Sequence, residues 1–145
     1  MAGRLNSLES REKRISPLLP LIHPALSAPS PRLTRWAHLI PPDAHVLDLA
    51  CGSGRHMQWL QSQGCNVLGV DRDENALFTA KTFGEVLCAD LENTDWPLTG
   101  RQFDAMVVTN YLWRPAWNAI LACLKPEGVL IYETFAAGNE SVGKP

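Results

Sequence analysis

The sequence predicts an α/β domain with a doubly wound, mostly parallel sheet, on three observations. Five apolar runs alternate with stretches of helical periodicity from residue 32 onward. The runs are near-continuously apolar, as strands are when helices cover both faces of a sheet. A glycine loop, "DLACGSGRHMQWL" (48–60), joins the first run to an amphipathic helix, and such loops hold ligands at the carboxyl edge of a parallel sheet. At 145 residues, 46% hydrophobic and 19% charged, the chain suffices for one domain with its own core.

Residues 1–31 read as a Pro/Ser-rich arm, because five of the eleven prolines fall in 17–31 and proline removes donors and blocks helices. Such an arm is mobile or lies across the body. The domain proper spans 32–145. "PRLTRWAHLI" places Leu33, Trp36, Ala37 and Ile40 at helical spacing, and Pro41-Pro42 ends that helix. The first strand is "HVLDLA" (45–50), followed by the glycine loop and the helix "RHMQWLQSQ", with Gly64 just past its end. "CNVLGV" (65–70) is the second strand. "ENALFTAKTF" is a helix with Asp73 as its N-cap, stopped by Gly84. "EVLCA" (85–89) and "FDAMVVTN" (103–110) are strands three and four. "PAWNAILACLK" is a helix with Pro115 in its first turn and Trp117, Ile120, Leu121 and Leu124 on one face. "GVLIYETF" (128–135) is the fifth strand, and the crossovers are expected to be right-handed.

The net charge of −2 hides a split: residues 1–35 carry six basic and two acidic side chains, leaving seven basic and thirteen acidic beyond them. An acidic body is a poor partner for phosphate backbones, so no nucleic acid is expected. Cys51, Cys65, Cys88 and Cys123 form no C-x-x-C pair and, with the four histidines, no metal-ligand spacing. They read as reduced thiols in or beside core elements, consistent with a cytoplasmic protein. "REKRISPLLPLIHPALSA" imitates a secretory leader, but Pro17, Pro20 and Pro24 interrupt its apolar stretch and it is too short to span a bilayer.

The strand ends carry the chemistry. Asp48 lies inside the first strand, where a charge among apolar neighbours needs partners: backbone amides of the loop or a ligand ammonium. Asp71 ends the second strand, either to accept both hydroxyls of a ribose or to cap the next helix. Asp90 ends the third, where a carboxylate can accept from an adenine amino group or simply shape the loop "ADLENTDW". Asn110 and Tyr111 end the fourth. A dinucleotide loop reads G-x-G-x-x-G and delivers two phosphates to a helix N-terminus. Here Met57 stands at the third glycine and an acid precedes the loop, which favours a ligand with a positive centre, an amino-acid part and a nucleoside.

The glycine loop resembles motif I of the class I S-adenosylmethionine (SAM)-dependent methyltransferases, acid-x-Gly-x-Gly-x-Gly. Here the pattern is Asp48, Ala50, Gly52 and Gly54, with alanine at the first glycine, a mild departure if no positive φ is required there. The resemblance continues in order through "VLGVDRD" (67–73), "CADLE" (88–92), "FDAMVVTNYLW" (103–113) and "LKPEGVLIYETF" (124–135), covering about 32–140. It implies a Rossmann-like methyltransferase fold, SAM as cofactor, and transfer of its methyl group by in-line displacement. Carried over by position, Gly52 and Gly54 make room for the methionine part and Asp48 orients it. Asp71 holds the ribose, Arg72 borders the adenine, and Asp90 with Leu91 binds the adenine edge and face. Asn110 and Tyr111 sit near the methyl group.

No obligatory catalytic residue stands out. His56 and Tyr111 are the candidates for polar help, His56 being equally readable as a polar residue of the helix start. Tyr111, Trp113 and Arg114 are the candidate substrate contacts, although both Trp113 and Trp117 can equally pack the last helix on the sheet. In economy the chain resembles compact small-molecule methyltransferases, including those of the thiopurine and tellurite type. That family normally adds two strands beyond the fifth, and the sequence stops one loop after it. The resemblance therefore implies a C-terminally incomplete domain whose fifth strand offers an edge for self-association. A catalytically silent SAM-binding or interaction protein is the first alternative function, and an NAD-type nucleotide enzyme the second.

Overall fold

The computed structural model describes residues 26–134. Most of the arm predicted over 1–31, and the chain after Thr134, lie outside the described residues. The elements in order are α1 (Pro31–Trp36), a 3-10 turn (Ala37–Leu39), β1 (His45–Leu49), α2 (Arg55–Ser62), β2 (Asn66–Asp71), α3 (Glu74–Ala80), β3 (Glu85–Cys88), β4 (Phe103–Thr109), a 3-10 turn (Arg114–Ala116), α4 (Trp117–Ala122) and β5 (Leu124–Glu133). The strands form one parallel sheet of order β3-β2-β1-β4-β5. The order reverses between β1 and β4, so the ligand crevice of such a sheet opens at their carboxyl ends. Among the described residues, no helix is long and apolar enough to cross a membrane.

Alternation along the strands divides the interior in two. Val46, Val67, Ala105, Val107 and Ile131 face α1, α2 and α3, where Leu33, Met57, Leu60, Leu77 and Phe83 cover them. Leu47, Leu49, Leu68, Val70, Met106 and Val108 face the other way, under Leu91, Leu98, Ala116, Ile120 and Cys123. Met57, the residue that broke the dinucleotide spelling, is fully buried, and a Cβ at Gly69 of β2 would collide with its sulfur and come within 2.8 Å of Cys51 Sγ. The glycine that allows close helix–sheet packing thus sits on the second strand, opposite the methionine. Gly54 serves the neighbouring contact: its φ is +92°, and a Cβ there would lie 3.1 Å from Ala80 of α3.

Local signals for caps and stops hold. Asp73 accepts from the amides of Asn75 and Ala76 at the start of α3, a cap worth about 1 kcal/mol. Gly64 follows α2, whose end closes through Cys65 N–H donating to Leu60 O at 3.0 Å. Boundaries set by tertiary pairing differ from the sequence prediction. The last helix stops at Ala122 because Cys123 O already accepts from Phe103 N–H at 2.7 Å and Leu124 pairs with Phe103. β5 therefore starts four residues early and then shifts register, resuming at Val129 opposite Ala105. On α4 only Ile120 is buried, whereas Leu121 and Trp117 are exposed, Trp117 meeting Tyr132 edge-on at 5.4 Å. Trp36 is likewise exposed, with Arg35 over its ring. Cys88, expected in the core, is exposed because β3 is an edge strand; Cys51 and Cys123 are buried.

Candidate cofactor and active site

The carboxyl ends of β1, β2 and β3 surround a cleft of about 200 Å³, lined by Ala50, Val70, Asp71, Arg72, Ala89, Asp90, Leu91, Glu92 and Tyr111. Its floor begins where β1 runs out into the glycine loop. Cys51 N–H donates to Val70 O at 3.0 Å, extending the β1–β2 ladder by one bond, and Gly54 N–H then returns to Cys51 O at 3.1 Å. The chain is left-handed at Ala50 (φ +56°), just before these bonds, and at Gly52 between them. The expectation that alanine is a mild departure at the first glycine, with no positive φ required, is thereby corrected, since a Cβ in this region costs about 1–2 kcal/mol. Ala50→Gly should accordingly raise the stability of the free protein by about 0.5–1 kcal/mol, net of the entropy glycine adds to the unfolded chain. Urea unfolding of the two proteins measures it, and a variant no more stable than the parent would show that the turn is relaxed.

Asp71 does not cap α3, which is the work of Asp73. Its Oδ2 accepts from Gly52 N–H at 2.8 Å and its Oδ1 from Asp73 N–H at 2.9 Å. The carboxylate thus pins the crest of the glycine loop to the end of β2 and keeps lone pairs free on both oxygens. Asp90 is held in a local turn, accepting from Glu92 N–H and Asn93 Nδ2. The Asn93 hydrogen bond, followed by the Glu92 amide, holds its carboxyl below the usual range.

Asp48 shares the β1 face of Val46 and is completely buried, and neither of its oxygens has a hydrogen-bond partner among the described residues. Burial pushes its pKa up to about 8, against a favourable Arg55 and with a smaller push from Asp71. The amides of Cys51, Gly52 and Gly54 are turned to other acceptors. Cys51, next along, is raised by burial and by the same two carboxyls, so it is a thiol and no nucleophile.

His56 does not line the cleft. It is buried in α2, where Nε2 accepts from Ser30 N–H at 3.1 Å and Nδ1 faces Thr109 Oγ1 at 3.5 Å. Burial, and then Arg55, lower its pKa to about 4, so the ring is neutral. Ser30 Oγ in turn donates to Glu133 Oε2 at 2.5 Å, and Arg55 Nη1 donates to Ala28 O at 3.0 Å. Residues 26–30 are in this way tied to α2 and β5. Sequence reasoning missed Ser30, which donates to His56 and to Glu133, since only the fold brings Ser30 and Glu133, 103 residues apart, together. It also missed Glu92, whose signal was the spacing of two residues from Asp90.

Asn110, left-handed at φ +55°, turns the chain at the end of β4. Tyr111 enters the cleft beside Asp90 and Glu92, with its hydroxyl buried and without a partner among the described residues. Trp113 packs on the second core, and Arg114 is exposed at the following turn.

A family model described as a methyltransferase domain matches residues 46–128, from β1 to the bend within β5. The chain belongs to this methyltransferase family. YqeM of Bacillus subtilis (strain 168), a methyltransferase by name, is 31% identical over 124 residues. The match covers 76% of this chain and 50% of that protein, so the chain spans half the length of this curated relative. Among solved structures, a TehB-like SAM-dependent methyltransferase from Corynebacterium glutamicum ATCC 13032 superposes with a TM-score of 0.63 at 23% identity, over 92% of this chain and 75% of the other. Coclaurine N-methyltransferase, bound to N-methylheliamine and S-adenosylhomocysteine (SAH), gives a TM-score of 0.57 at 19% identity, over 68% and 32%. These likenesses show the fold, the Rossmann-like sheet of the SAM-dependent methyltransferases. The family match itself spans Asp48, the glycine loop, Asp71, Asp90, Asn110 and Tyr111.

Proposed function

We propose that the chain is a SAM-dependent methyltransferase acting on a small-molecule acceptor. The observation that carries this reading is the pair of strand-end carboxylates, Asp71 and Asp90, around one nucleoside-sized cleft beside the Ala50–Gly54 loop. Two further features fit the same ligand. Space above Gly52 is open, since a Cβ there would meet nothing within 4 Å, and the unpartnered Asp48 lies beneath that loop. A pyrophosphate would meet the carboxylates of Asp71, Asp90 and Glu92 along this cleft, whereas a nucleoside joined to an amino acid finds acceptors for its hydroxyls and ammonium.

In this reading Asp71 accepts from the ribose hydroxyls, Arg72 borders the base, Asp90 accepts from the adenine amino group, and Leu91 packs on its face. Ala50, Gly52, Gly54 and Asp48 surround the methionine part. Asn110 stands at the methyl side, with Trp113 and Arg114 on the approach of the acceptor. When bound, SAM supplies a methyl group on a sulfonium that leaves as a neutral thioether. What the chain contributes is positioning and exclusion of water. A general base matters only for acceptors that arrive protonated with a high pKa. His56 is not that base, because Ser30 already donates to its Nε2.

The small-molecule reading draws on the relative bound to N-methylheliamine and on the acidic charge of residues 36–145. Incubation of the protein with methyl-labelled SAM and the low-molecular-weight fraction of a cell extract tests it. Label in an extractable small molecule is expected. Label appearing only in protein or nucleic acid would overturn the acceptor class, and no transfer by a SAM-binding protein would overturn the activity.

A further inference from the structure

We propose that Tyr111 determines specificity for the nucleobase, its phenol O–H donating to a ring nitrogen of adenine. The proposal rests on the cofactor reading above and moves Tyr111 from the methyl side, which the family resemblance implied, to the other end of the site. Tyr111 shares the cleft with Ala89, Asp90, Leu91 and Glu92, the residues that follow β3. Its backbone is fixed there by Tyr132, whose hydroxyl donates to Tyr111 O at 3.1 Å.

Its own hydroxyl is buried and unpartnered among the described residues. Such a group destabilises the free fold and calls for a physical reason. Glu92 and Asp90 are its principal charged neighbours, yet neither accepts its proton. Burial, followed by those two carboxylates, pushes the phenol up to about 12, so the group is a proton donor at any physiological pH.

Adenine supplies what this donor lacks. One edge of the base offers an amino donor, which suits Asp90, while its ring nitrogens are acceptors that carboxylates repel. A cleft lined by Asp71, Asp90 and Glu92 needs a neutral donor to bind those nitrogens, and Tyr111 is the uncharged hydroxyl that lines it. Arg72, also on the wall, is exposed.

The test is calorimetric titration of the wild type and Tyr111→Phe with SAH and its 1-, 3- and 7-deaza analogues, beside thermal unfolding of both ligand-free proteins. Tyr111→Phe is expected to unfold no earlier than the wild type, because it removes an unpaired hydroxyl, and to bind SAH about fivefold more weakly. One deaza analogue should lose a similar factor against the wild type and lose nothing further against the variant. An unchanged SAH affinity, or deaza losses identical in both proteins, would overturn the proposal. A wild type that binds no SAH would instead overturn the cofactor reading on which it rests, and the first titration separates the two failures.

Discussion

Asp71→Ala should weaken SAH binding by a hundredfold or more. Charge-assisted hydrogen bonds contribute about 1.5–3 kcal/mol each, and two to the ribose hydroxyls correspond to at least that factor. The substitution also releases Gly52 N–H, which the carboxylate holds at 2.8 Å, so the loop loses its anchor together with the ligand's. Asp71→Asn keeps one good acceptor and should fall between the two. Titration calorimetry gives the affinities, and thermal unfolding shows whether the variants retain the fold. A folded Asp71→Ala protein binding within threefold of wild type would remove the ribose from this strand end.

The second large effect is a pH dependence of stability that Asp48 and His56 impose in opposite directions. Asp48 has its folded pKa raised from 3.8 to about 8 by burial. Between those values the unfolded chain gives up the proton and the folded chain keeps it, so stability falls as pH rises. His56 is lowered from 6.5 to about 4 by burial and by Arg55, against Glu133. In that interval the unfolded chain holds the extra proton, and stability rises with pH. The two contributions oppose each other from about pH 4 to 6.5, leaving the profile nearly level. From 6.5 to 8 only Asp48 remains, and stability should fall by about 1 kcal/mol per pH unit. Asp48→Asn should remove that fall and show the His56 rise alone. Urea unfolding at pH 5, 6.5 and 8 reads both curves. Parallel curves for the two proteins would mean that Asp48 is ionised and paired in the free fold.

Legibility in the sequence followed the range of the interaction. Local signals were readable: the continuous apolar strands, the Asp73 cap, Gly64 after α2, and the order of the strand-end acids. The sheet order β3-β2-β1-β4-β5 was not among them, since a right-handed crossover fixes which face a helix covers and not which strands are neighbours. Long-range pairing was not readable. The end of α4 and the bend in β5 depend on where Phe103 meets Leu124, and the role of His56 depends on Ser30 and Glu133. At the site, residue identities could be read but their commitments could not. Asp71 came out as an anchor of the loop as well as a strand-end acid, and Tyr111 came out beside Asp90. Ala50 shows the same limit, because alanine gives no sign in sequence that its backbone is left-handed.

The central claim is that the loop and the acids at the ends of β1, β2 and β3 form one site for an adenosyl amino acid. Titration of the purified chain with SAH, and in parallel with NADH, tests it most directly. Saturable one-to-one binding of SAH and none of NADH is the predicted result. A folded protein that gives no heat with SAH, or that binds NADH in its place, would contradict the account.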